Sequence, residues 1–250
     1  MNNDMLSQPL TSDRFRFACH KNLSCFTACC ANLNLVLTPY DVIRLRTRLG
    51  LPSEDFLKKY TNTSIDKGYG FPIVLLKMNN DKKQRCPFVS VNGCTVYEDR
   101  PGACRIYPLG RAASKIRERK KSDDFFFIIK EPHCLGFNEP KEWLIQDWIK
   151  DQGLDEYNTM NDFFMDIVTG KNFRRIKSLT PNQMQMFYMG CYNLDEFKNF
   201  IFKSTFMKRF EVDPDQICRI KTDDVELMKF GSRWLNFALF GEKTLSIRRH

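Results

Sequence analysis

Apolar residues that follow position 38 recur at intervals of three and four residues, which is the spacing of one buried helix face (Val42, Leu45 and Leu49). Thr38-Pro39 precedes them with a capping residue and a proline suited to the first helical position. Gly50 follows the last apolar residue and is typical of a helix end. The pattern therefore predicts a helix over this stretch.

Similar signals predict further helices, most of them in the second half of the chain. Each begins at a capping residue or carries an apolar stripe of helical period. The predicted helices are one capped by Ser53 and ending at Tyr60, Lys141–Ile149, Asp155–Val168, one after the capping box Thr180–Gln183, one after the box Asn193–Glu196, and a last one from Thr222 to Phe240-Gly241.

Short apolar runs between the helices predict buried strands at Phe71–Met78 and Phe125–Ile129. Asn92-Gly93 lies between β-branched residues and predicts the turn of a β-hairpin. Cys86 enters this hairpin, and Cys94 follows directly after the predicted turn. The first half of the chain is therefore predicted to contain short strands as well as helices.

These elements predict an α+β fold in which a half with short strands and helices is followed by an all-helical half. Residues 1–16 are polar and predict a loosely ordered arm. We expect a domain over residues 17–136 and a helical region over 137–250 that packs on it or follows it. The 250 residues are 42% hydrophobic and include 22 Phe, which is enough for a core without covalent crosslinks.

The charge of the chain and its lack of recognisable targeting signals bear on whether it binds nucleic acid, is secreted or enters a membrane. The formal net charge is +9, and the densest basic run is Lys115–Lys121, which we interpret as a solvated loop. No nucleic-acid-binding motif accompanies the run, so nucleic acid is not an expected partner. No basic start with an apolar run, and no apolar stretch long enough to cross a bilayer, is seen in the sequence. We therefore expect a cytoplasmic protein without a membrane partner.

The cysteines change this picture most, because eight of the ten fall within the first 134 residues. A reducing compartment favours a metal or catalytic role for such thiols over disulfides. Thiolates are soft ligands that select zinc or iron–sulfur clusters. The candidate metal ligands are Cys19, Cys25, Cys29, Cys30, Cys86, Cys94, Cys104 and Cys134.

The spacing of these cysteines leaves several arrangements open. Two four-cysteine sites, one cluster with spectator thiols, or one four-cysteine site with a redox pair would all fit the pattern. The paired C-x2-C motifs of common zinc modules are absent, which favours an iron–sulfur cluster, of the 4Fe–4S type, over zinc. A metal-free protein that works by thiol–disulfide exchange is a further alternative.

Other residues near the cysteines have less specific interpretations. Cys191 and Cys218 stand apart and are expected to be buried in the core. His20 and His133 adjoin cysteines and could replace a sulfur ligand, but we expect surface or outer-shell imidazoles. Tyr97 is expected to pack in a core. Arg100-Pro101 begins a helical turn that carries Cys104. The side chains of Arg100 and Arg105 are candidates for cationic groups that face the metal centre. In the alternative interpretation, Arg100 forms an ion pair with Glu98 or Asp99.

The ordered cysteines, together with the run C-x-V-Y-E-x-R-P-x-x-C-R-x-Y-P, resemble the YkgJ-type cysteine-cluster family of zinc- or iron-chelating proteins. The resemblance covers roughly residues 17–136, and the chain differs from many relatives by its initial C-x5-C spacing. The matching positions are Cys19, Cys25, Cys29, Cys30, Cys86, Cys94, Tyr97, Arg100, Pro101, Cys104, Arg105 and Pro108.

The resemblance implies a metal-binding protein that holds an iron–sulfur or zinc centre. Flagellin lysine-methylating enzymes have a similar cysteine pattern, which implies an alternative function as an iron–sulfur-dependent protein lysine methyltransferase that uses S-adenosylmethionine. The partners expected from these two functions are a redox partner or a protein substrate. No glycine-rich loop follows a strand in the manner of a nucleotide-binding site.

Overall fold

A computed structural model describes residues 7–10, 12–66, 70–114, 123–169 and 179–248. The basic run predicted as a solvated loop, Lys115–Lys121, lies outside these described residues. The described residues form short strands and helices, which confirms the predicted α+β class.

The strands, in chain order, are β1 (Ser7–Pro9), β2 (Arg14–Arg16), β3 (Val36–Leu37), β4 (Thr61–Ile65), β5 (Pro72–Leu76), β6 (Val89–Ser90), β7 (Gly93–Cys94), β8 (Leu109–Ser114), β9 (Asp123–Ile129), β10 (Glu142–Leu144), β11 (Phe210–Glu211) and β12 (Ser246–Ile247). The α-helices are α1 (Pro39–Leu49), α2 (Ser53–Tyr60), α3 (Gly102–Ile106), α4 (Ile145–Asp151), α5 (Leu154–Thr169), α6 (Pro181–Cys191), α7 (Leu194–Lys203), α8 (Phe206–Arg209), α9 (Pro214–Thr222) and α10 (Asp224–Phe240).

The chain divides into two compact units, and each unit is assembled from two separate segments. The first unit comprises residues 1–33 and 78–157, and the second comprises 34–77 and 158–250. The sequence pattern predicts a different division, with a domain over 17–136 and a helical region over 137–250. That division stays a prediction. The two compact units differ from the predicted domains because residues 34–77 belong to the same unit as residues 158–250.

In the first unit, β1, β9 and β8 form an antiparallel sheet, and β2 pairs with β10. Ser7–Pro9 and Arg14–Arg16 of the predicted N-terminal arm are therefore strand rather than loosely ordered chain. The reason lies in the alternation of Arg14-Phe15-Arg16-Phe17, which puts the two phenylalanines on one face of the strand. Their side chains are 7% and 3% exposed.

Aromatic side chains build the core of the first unit. Phe15 and Phe17 each meet Trp148 edge to face with ring centroids 5.8 Å apart, and Leu109 is fully buried beside them. The indole N–H of Trp148 donates to the carbonyl oxygen of Ile106 at 3.0 Å, so that the buried ring keeps its hydrogen bond. Cys134 packs against this cluster, which brings a candidate ligand to the core.

In the second unit, β5 pairs with β3 on one side and β4 on the other, both antiparallel. Two of its helices, α6 and α10, approach closely where Gly190 and Gly231 meet. A Cβ on Gly231 would lie 2.5 Å from the carbonyl oxygen of Gly190, so only glycine permits this contact. The buried hydroxyl of Ser53 lies 2.9 Å from Asn193 Oδ1 and 2.9 Å from Asp195 Oδ2, within hydrogen-bond distance of both.

Helix ends with local signals follow the sequence predictions. Thr38 and Thr180 each form a capping box, and Gly50 and Gly241 end α1 and α10 in the left-handed conformation. Asp223 rather than Thr222 caps the last helix, because its carboxylate accepts the first free N–H groups.

Three other predictions about these elements were wrong. Ser53 is the first residue of α2 rather than its cap, because its hydroxyl is engaged by Asn193 and Asp195. Asn193 precedes α7 without a capping box, since its side-chain amide donates to Glu196 instead. The predicted helix Lys141–Ile149 begins only at Ile145, after β10.

The second half is mainly helical but includes β10, β11 and β12, so the prediction of an all-helical half was wrong in this detail. The interior of β10 pairs Trp143 with Phe15, and the Trp143 indole donates to the carbonyl of Phe17 at 2.9 Å. This long-range pairing outweighs the local helical pattern.

Candidate metal centre

All eight candidate ligands lie in the first unit, although the unit is made of two chain segments. Cys19, Cys25, Cys29 and Cys30 come from the N-terminal segment, and the others come from the segment that begins at Met78. The remaining cysteines, Cys191 and Cys218, lie in the second unit. The folding of the chain therefore gathers the thiols of the sequence motif and leaves out the two that stand apart.

Four thiols form what we call the first cysteine group. The Cys19 thiol interacts electrostatically with the thiols of Cys25, Cys29 and Cys134. The backbone N–H of Leu135, the residue after Cys134, donates to Cys25 Sγ at 3.3 Å. Ala18 N–H donates to the carbonyl of Gly136 at 3.1 Å. The members of the first cysteine group are Cys19, Cys25, Cys29 and Cys134.

The other four thiols form the second cysteine group. The N–H of Cys86 donates to the carbonyl of Cys30 at 2.8 Å, which ties the two chain segments together. The Cys30 thiol interacts electrostatically with Cys86 and Cys104, and the Cys86 thiol with Cys94. The members of the second cysteine group are Cys30, Cys86, Cys94 and Cys104.

The hairpin of the second group turns one residue earlier than the sequence predicted. Val89 pairs with Cys94 and Ser90 with Gly93, so Val91-Asn92 forms the turn and Cys94 lies in β7. The Ser90 hydroxyl fixes this register because it accepts from Asn92 N–H and donates to the carbonyl of Gly93. Gly93 has a φ of 112°, a conformation that favours glycine.

Backbone N–H groups point at several of the sulfurs. The backbone N–H groups of Phe88 and Val89 act to lower the pKa of Cys86, and that of Val96 acts to lower the pKa of Cys94. The N–H of Leu135 donates to the Cys25 sulfur. Such N–H donors stabilise the anionic form of sulfur, which is the form that binds a metal.

Burial opposes ionisation at most of these thiols. Burial is the main cause that raises the pKa of Cys19 to about 11, and it raises the pKa of Cys86 and of Cys94 in the same way. Neighbouring thiols raise these values further, and Cys29 of the first group does so for both Cys86 and Cys94 of the second. Clustered and half-buried thiols therefore need a bound cation, or a proton, to offset the charge that they would otherwise share.

Cys29 and Cys30 behave as a pair within this cluster. Their sulfurs are 4.0 Å apart, and the hydrogen bond from the Cys30 thiol lowers the pKa of Cys29 to about 7. The same hydrogen bond, followed by burial, raises the pKa of Cys30 far above its ordinary range.

Two buried arginines lie next to the second group and have different roles. Arg105 is held by the carbonyl oxygens of Arg100 at 3.2 Å, of Gln152 at 2.7 Å and of Glu98, so its guanidinium fixes the local backbone. Arg100 is 8% exposed, donates to the carbonyl of Tyr97 at 2.6 Å, and interacts favourably with ionised Cys94 and Cys104. Arg100 is thus the cation of the second group.

Two tyrosines differ from the sequence interpretation. Tyr97 is 53% exposed, with the Arg100 guanidinium 3.8 Å from its ring centroid, so the prediction that it packs in a core was wrong. Tyr107, to which the sequence pattern assigns no role, packs edge to face on Phe17. Its hydroxyl is buried without a well-formed hydrogen bond to any described residue, and burial and then the adjacent Cys134 thiol raise its pKa.

The two histidines next to cysteines pair with carboxylates, and the two separate cysteines differ in burial. His20 Nε2 is 3.2 Å from Glu139 Oε2, and His133 Nε2 is 3.1 Å from Glu131 Oε2, as surface imidazoles paired with carboxylates. Cys191 is buried as predicted. Cys218 is exposed, because it lies on the outer face of α9, and its predicted burial was wrong.

A pocket of about 410 Å³ opens beside the first group. Cys29 lines it together with Asn32, Glu131 and His133, and Ala28 and Leu33 supply part of its apolar wall. The Glu131 carboxylate raises the pKa of Cys29, which partly opposes the effect of Cys30. The pocket thus places a carboxylate and an imidazole beside one edge of the thiol cluster.

The chemistry of the thiols suits a soft metal ion or an iron–sulfur cluster, although their side chains are not arranged as a ligand set among the described residues. Eight half-buried or exposed thiols, N–H donors at three sulfurs, the cation of Arg100 and the unpaired hydroxyl of Tyr107 beside Cys134 all suit bound thiolates. Within the described parts of the chain, no three His, Cys, Asp or Glu side chains are arranged as a set that could hold a metal ion. The thiols are neighbours rather than a closed coordination shell.

None of the helices in the described ranges is long and apolar enough to cross a membrane. No curated protein and no solved structure matches the chain. A family model does match residues 18–135; its description is "CxxCxxCC: Putative zinc- or iron-chelating domain". All eight cysteines of the two groups fall within the matched segment, which confirms the resemblance seen in the sequence. Residues 18–135 therefore match the model of this zinc- or iron-chelating cysteine-cluster family.

Proposed function

We propose that the protein binds metal through the eight thiols of the two cysteine groups, as an iron–sulfur or zinc centre. The observation that carries the proposal is that all eight lie in one compact unit, although 34–77 separates the first four from the rest. Such gathering has a simple physical reason if the thiols share bound metal, because a metal cation offsets the charge that clustered thiolates would otherwise share.

The residues around the thiols have roles that suit such a centre. N–H groups of Leu135, Phe88 and Val96 would stabilise thiolate ligands, and Arg100 would offset negative charge at Cys94 and Cys104. Bound zinc would supply rigid structural support, whereas an iron–sulfur cluster would also supply one-electron redox chemistry. The Tyr107 hydroxyl next to Cys134 supports a thiolate there, since the hydroxyl otherwise lacks a partner.

We favour the iron–sulfur cluster over zinc for the reason given by the sequence, which is the absence of paired C-x2-C motifs. A cytoplasmic location belongs to the same proposal, because a reducing compartment keeps the thiols available as ligands. All ten cysteines are free thiols in the structure, in keeping with such a compartment.

The test is an absorption spectrum with elemental analysis on protein purified without oxygen. We expect brown protein that contains iron and acid-labile sulfide. Colourless protein with stoichiometric zinc would contradict the iron–sulfur assignment but support the metal-binding function. Protein free of every transition metal would contradict the proposal itself.

The methyltransferase alternative requires binding of S-adenosylmethionine by the metal-loaded protein. Calorimetric titration tests it directly, and an absence of binding would argue against it. The thiol–disulfide alternative is tested by counting free thiols in native protein with and without chelator. Thiols that become free only after chelator treatment would favour metal binding.

A further inference from the structure

We infer that the pocket beside Cys29 binds a small organic molecule that has an ammonium group and an apolar body. The inference goes beyond the proposed function, because it assigns the pocket a ligand of its own in addition to the metal of the thiols. The volume of the pocket, about 410 Å³, lies within the range of about 300–1,000 Å³ that is usual for small-molecule sites. All of its lining residues belong to the first unit.

Two chain segments form the walls of the pocket, and backbone hydrogen bonds fix both. In the segment 28–33, the N–H of Asn32 donates to the carbonyl of Gln84 at 2.9 Å. In the segment 131–133, the carbonyl of Glu131 accepts from the N–H of Cys134 at 3.0 Å and closes a tight turn. The walls are therefore held in place before any ligand binds.

The wall formed by 28–33 includes strained backbone. Three of the described residues other than glycine have positive φ angles, namely Thr27 at 66°, Asn32 at 53° and Gln84 at 47°. Thr27 directly precedes this wall, Asn32 lines the pocket, and Gln84 accepts the hydrogen bond from Asn32. The left-handed conformation is unfavourable for a β-branched residue such as Thr27, and strain of this kind is concentrated at active sites and ligand-binding sites.

The charge at the pocket selects a cation. The Glu131 carboxylate lies on the wall with 29% of its side chain exposed, and its Oε2 is 3.1 Å from Nε2 of His133. A carboxylate accepts up to about four hydrogen bonds, so Glu131 can accept from a ligand as well as from His133. Among the described residues that line the pocket, none is a lysine or an arginine with which an anion could pair.

The uncharged part of the lining suits the apolar body of the ligand. The Asn32 side chain adds one amide, which can both donate and accept. A ligand that pairs its ammonium group with Glu131 can bury its apolar part against the opposite wall and would lie next to Cys29. The apolar lining residues are Ala28, Ala31, Leu33 and Pro132.

Saturation-transfer NMR with the full chain, purified without oxygen, tests the ligand class. The probe is phenethylamine, and the matched probes are its neutral alcohol, phenethyl alcohol, and an anion of similar size, hydrocinnamate. We expect phenethylamine to bind about fivefold more tightly than the alcohol, which is the upper end for a partly exposed ion pair, and hydrocinnamate to bind most weakly.

The variant Glu131→Gln tests the position of the ammonium group, because it removes the charge and keeps the shape. We expect it to lower the affinity for phenethylamine about fivefold. The matched control is Glu139→Gln, which should bind as the wild type does. The Glu139 carboxylate is also 29% exposed and also pairs with a histidine, His20, at 3.2 Å, but it does not line the pocket.

A second measurement tests the location without any substitution. In the metal-free full chain, saturating phenethylamine should slow the alkylation of Cys29 by iodoacetamide severalfold, because the bound molecule covers the thiol. The rate at Cys218, an exposed thiol of the second unit, should not change. Equal slowing at both thiols, or at neither, overturns the assignment to this pocket.

The remaining outcomes separate the inference from the proposed function. Equal affinities for the three probes, or an unchanged affinity in folded Glu131→Gln, overturn the ligand class. If Glu131→Gln fails to fold, as circular dichroism would show, the three probes with wild-type protein decide. Elemental analysis of the same samples reports metal binding separately. Protein that holds metal and does not bind phenethylamine overturns this inference alone, whereas protein that binds phenethylamine and holds no metal overturns only the proposed function.

Discussion

The sulfurs of Cys29 and Cys30 lie 4.0 Å apart and share a hydrogen bond, which shifts the pKa values of the two thiols in opposite directions. The pKa of Cys29 falls to about 7, while that of Cys30 rises. In reduced, metal-free protein, Cys29 therefore ionises more readily than Cys30, and it lines an open pocket. Cys29 is the thiol from which we expect metal loading, and chemical modification, to begin.

The first prediction concerns this pair. Cys30→Ala removes the hydrogen-bond donor, so the pKa of Cys29 should rise toward its ordinary value. Alkylation of Cys29 by iodoacetamide in metal-free protein at pH 7 should slow by about tenfold, since only the thiolate reacts. The pH dependence of the rate, followed by mass spectrometry of the Cys29 peptide, measures the shift. Cys218→Ala is the control, and an unchanged profile in Cys30→Ala would contradict the pairing.

A second prediction concerns the cation beside the second group. Arg100→Gln removes the charge that interacts with Cys94 and Cys104. Loss of a residue that supports ligands in this way weakens metal affinity by about 10-fold to 100-fold. Competition with a chelator measures the change. Arg14→Gln, which alters an exposed ion pair with Glu142, should retain metal as the wild type does, and equal retention by both variants would rule out the role of Arg100.

The close approach at Gly136 gives a third prediction. Gly136→Ala places a methyl group against the Ala18 carbonyl oxygen and the Phe17 ring, both 2.6 Å from the new carbon. We expect a loss of about 1–3 kcal/mol in the free energy of unfolding, measured with urea, together with a loss of bound metal. Gly50→Ala strains a left-handed residue in the second unit but meets no neighbouring atom, so it should leave the metal content unchanged.

The fourth prediction is that a variant that destabilises the second unit still binds metal as the wild type does. Ser53→Ala removes the hydroxyl that bonds to Asn193 and Asp195 inside the protein. The free energy of unfolding should fall by about 2 kcal/mol, because buried polar groups lose their partners. Metal content should stay at the wild-type value. Ser246→Ala, on an exposed strand, is the control, and metal loss in Ser53→Ala would contradict the separation.

Sequence patterns were sufficient to predict structural features that depend on residues close together in the chain. The helix caps at Thr38 and Thr180 depend only on side chains three residues away, and both were predicted correctly. Trp143 illustrates the opposite case, since the strand pairing with Phe15 depends on residues far away in the sequence. No local sequence pattern indicates such a distant strand partner, so Lys141–Ile149, which includes Trp143, was predicted to be helical.

The same distinction applies to the candidate site. The cysteines could be recognised from their spacing, and so could the family. Their division into two groups could not, because it depends on contacts such as that of Leu135 with Cys25. Tyr107 was missed for a related reason: only the fold shows that its hydroxyl is buried beside Cys134.

The order in which the ribosome delivers the two segments of the first unit has a consequence for biosynthesis. Cys30 emerges about 100 residues before Cys134, so at ordinary translation speeds the early thiols wait about 5–20 s for their last partner. During this interval they are open to oxidants and to the wrong metals. We therefore expect the yield of correctly loaded protein to depend on oxygen and on the free metal pool while the chain is being made.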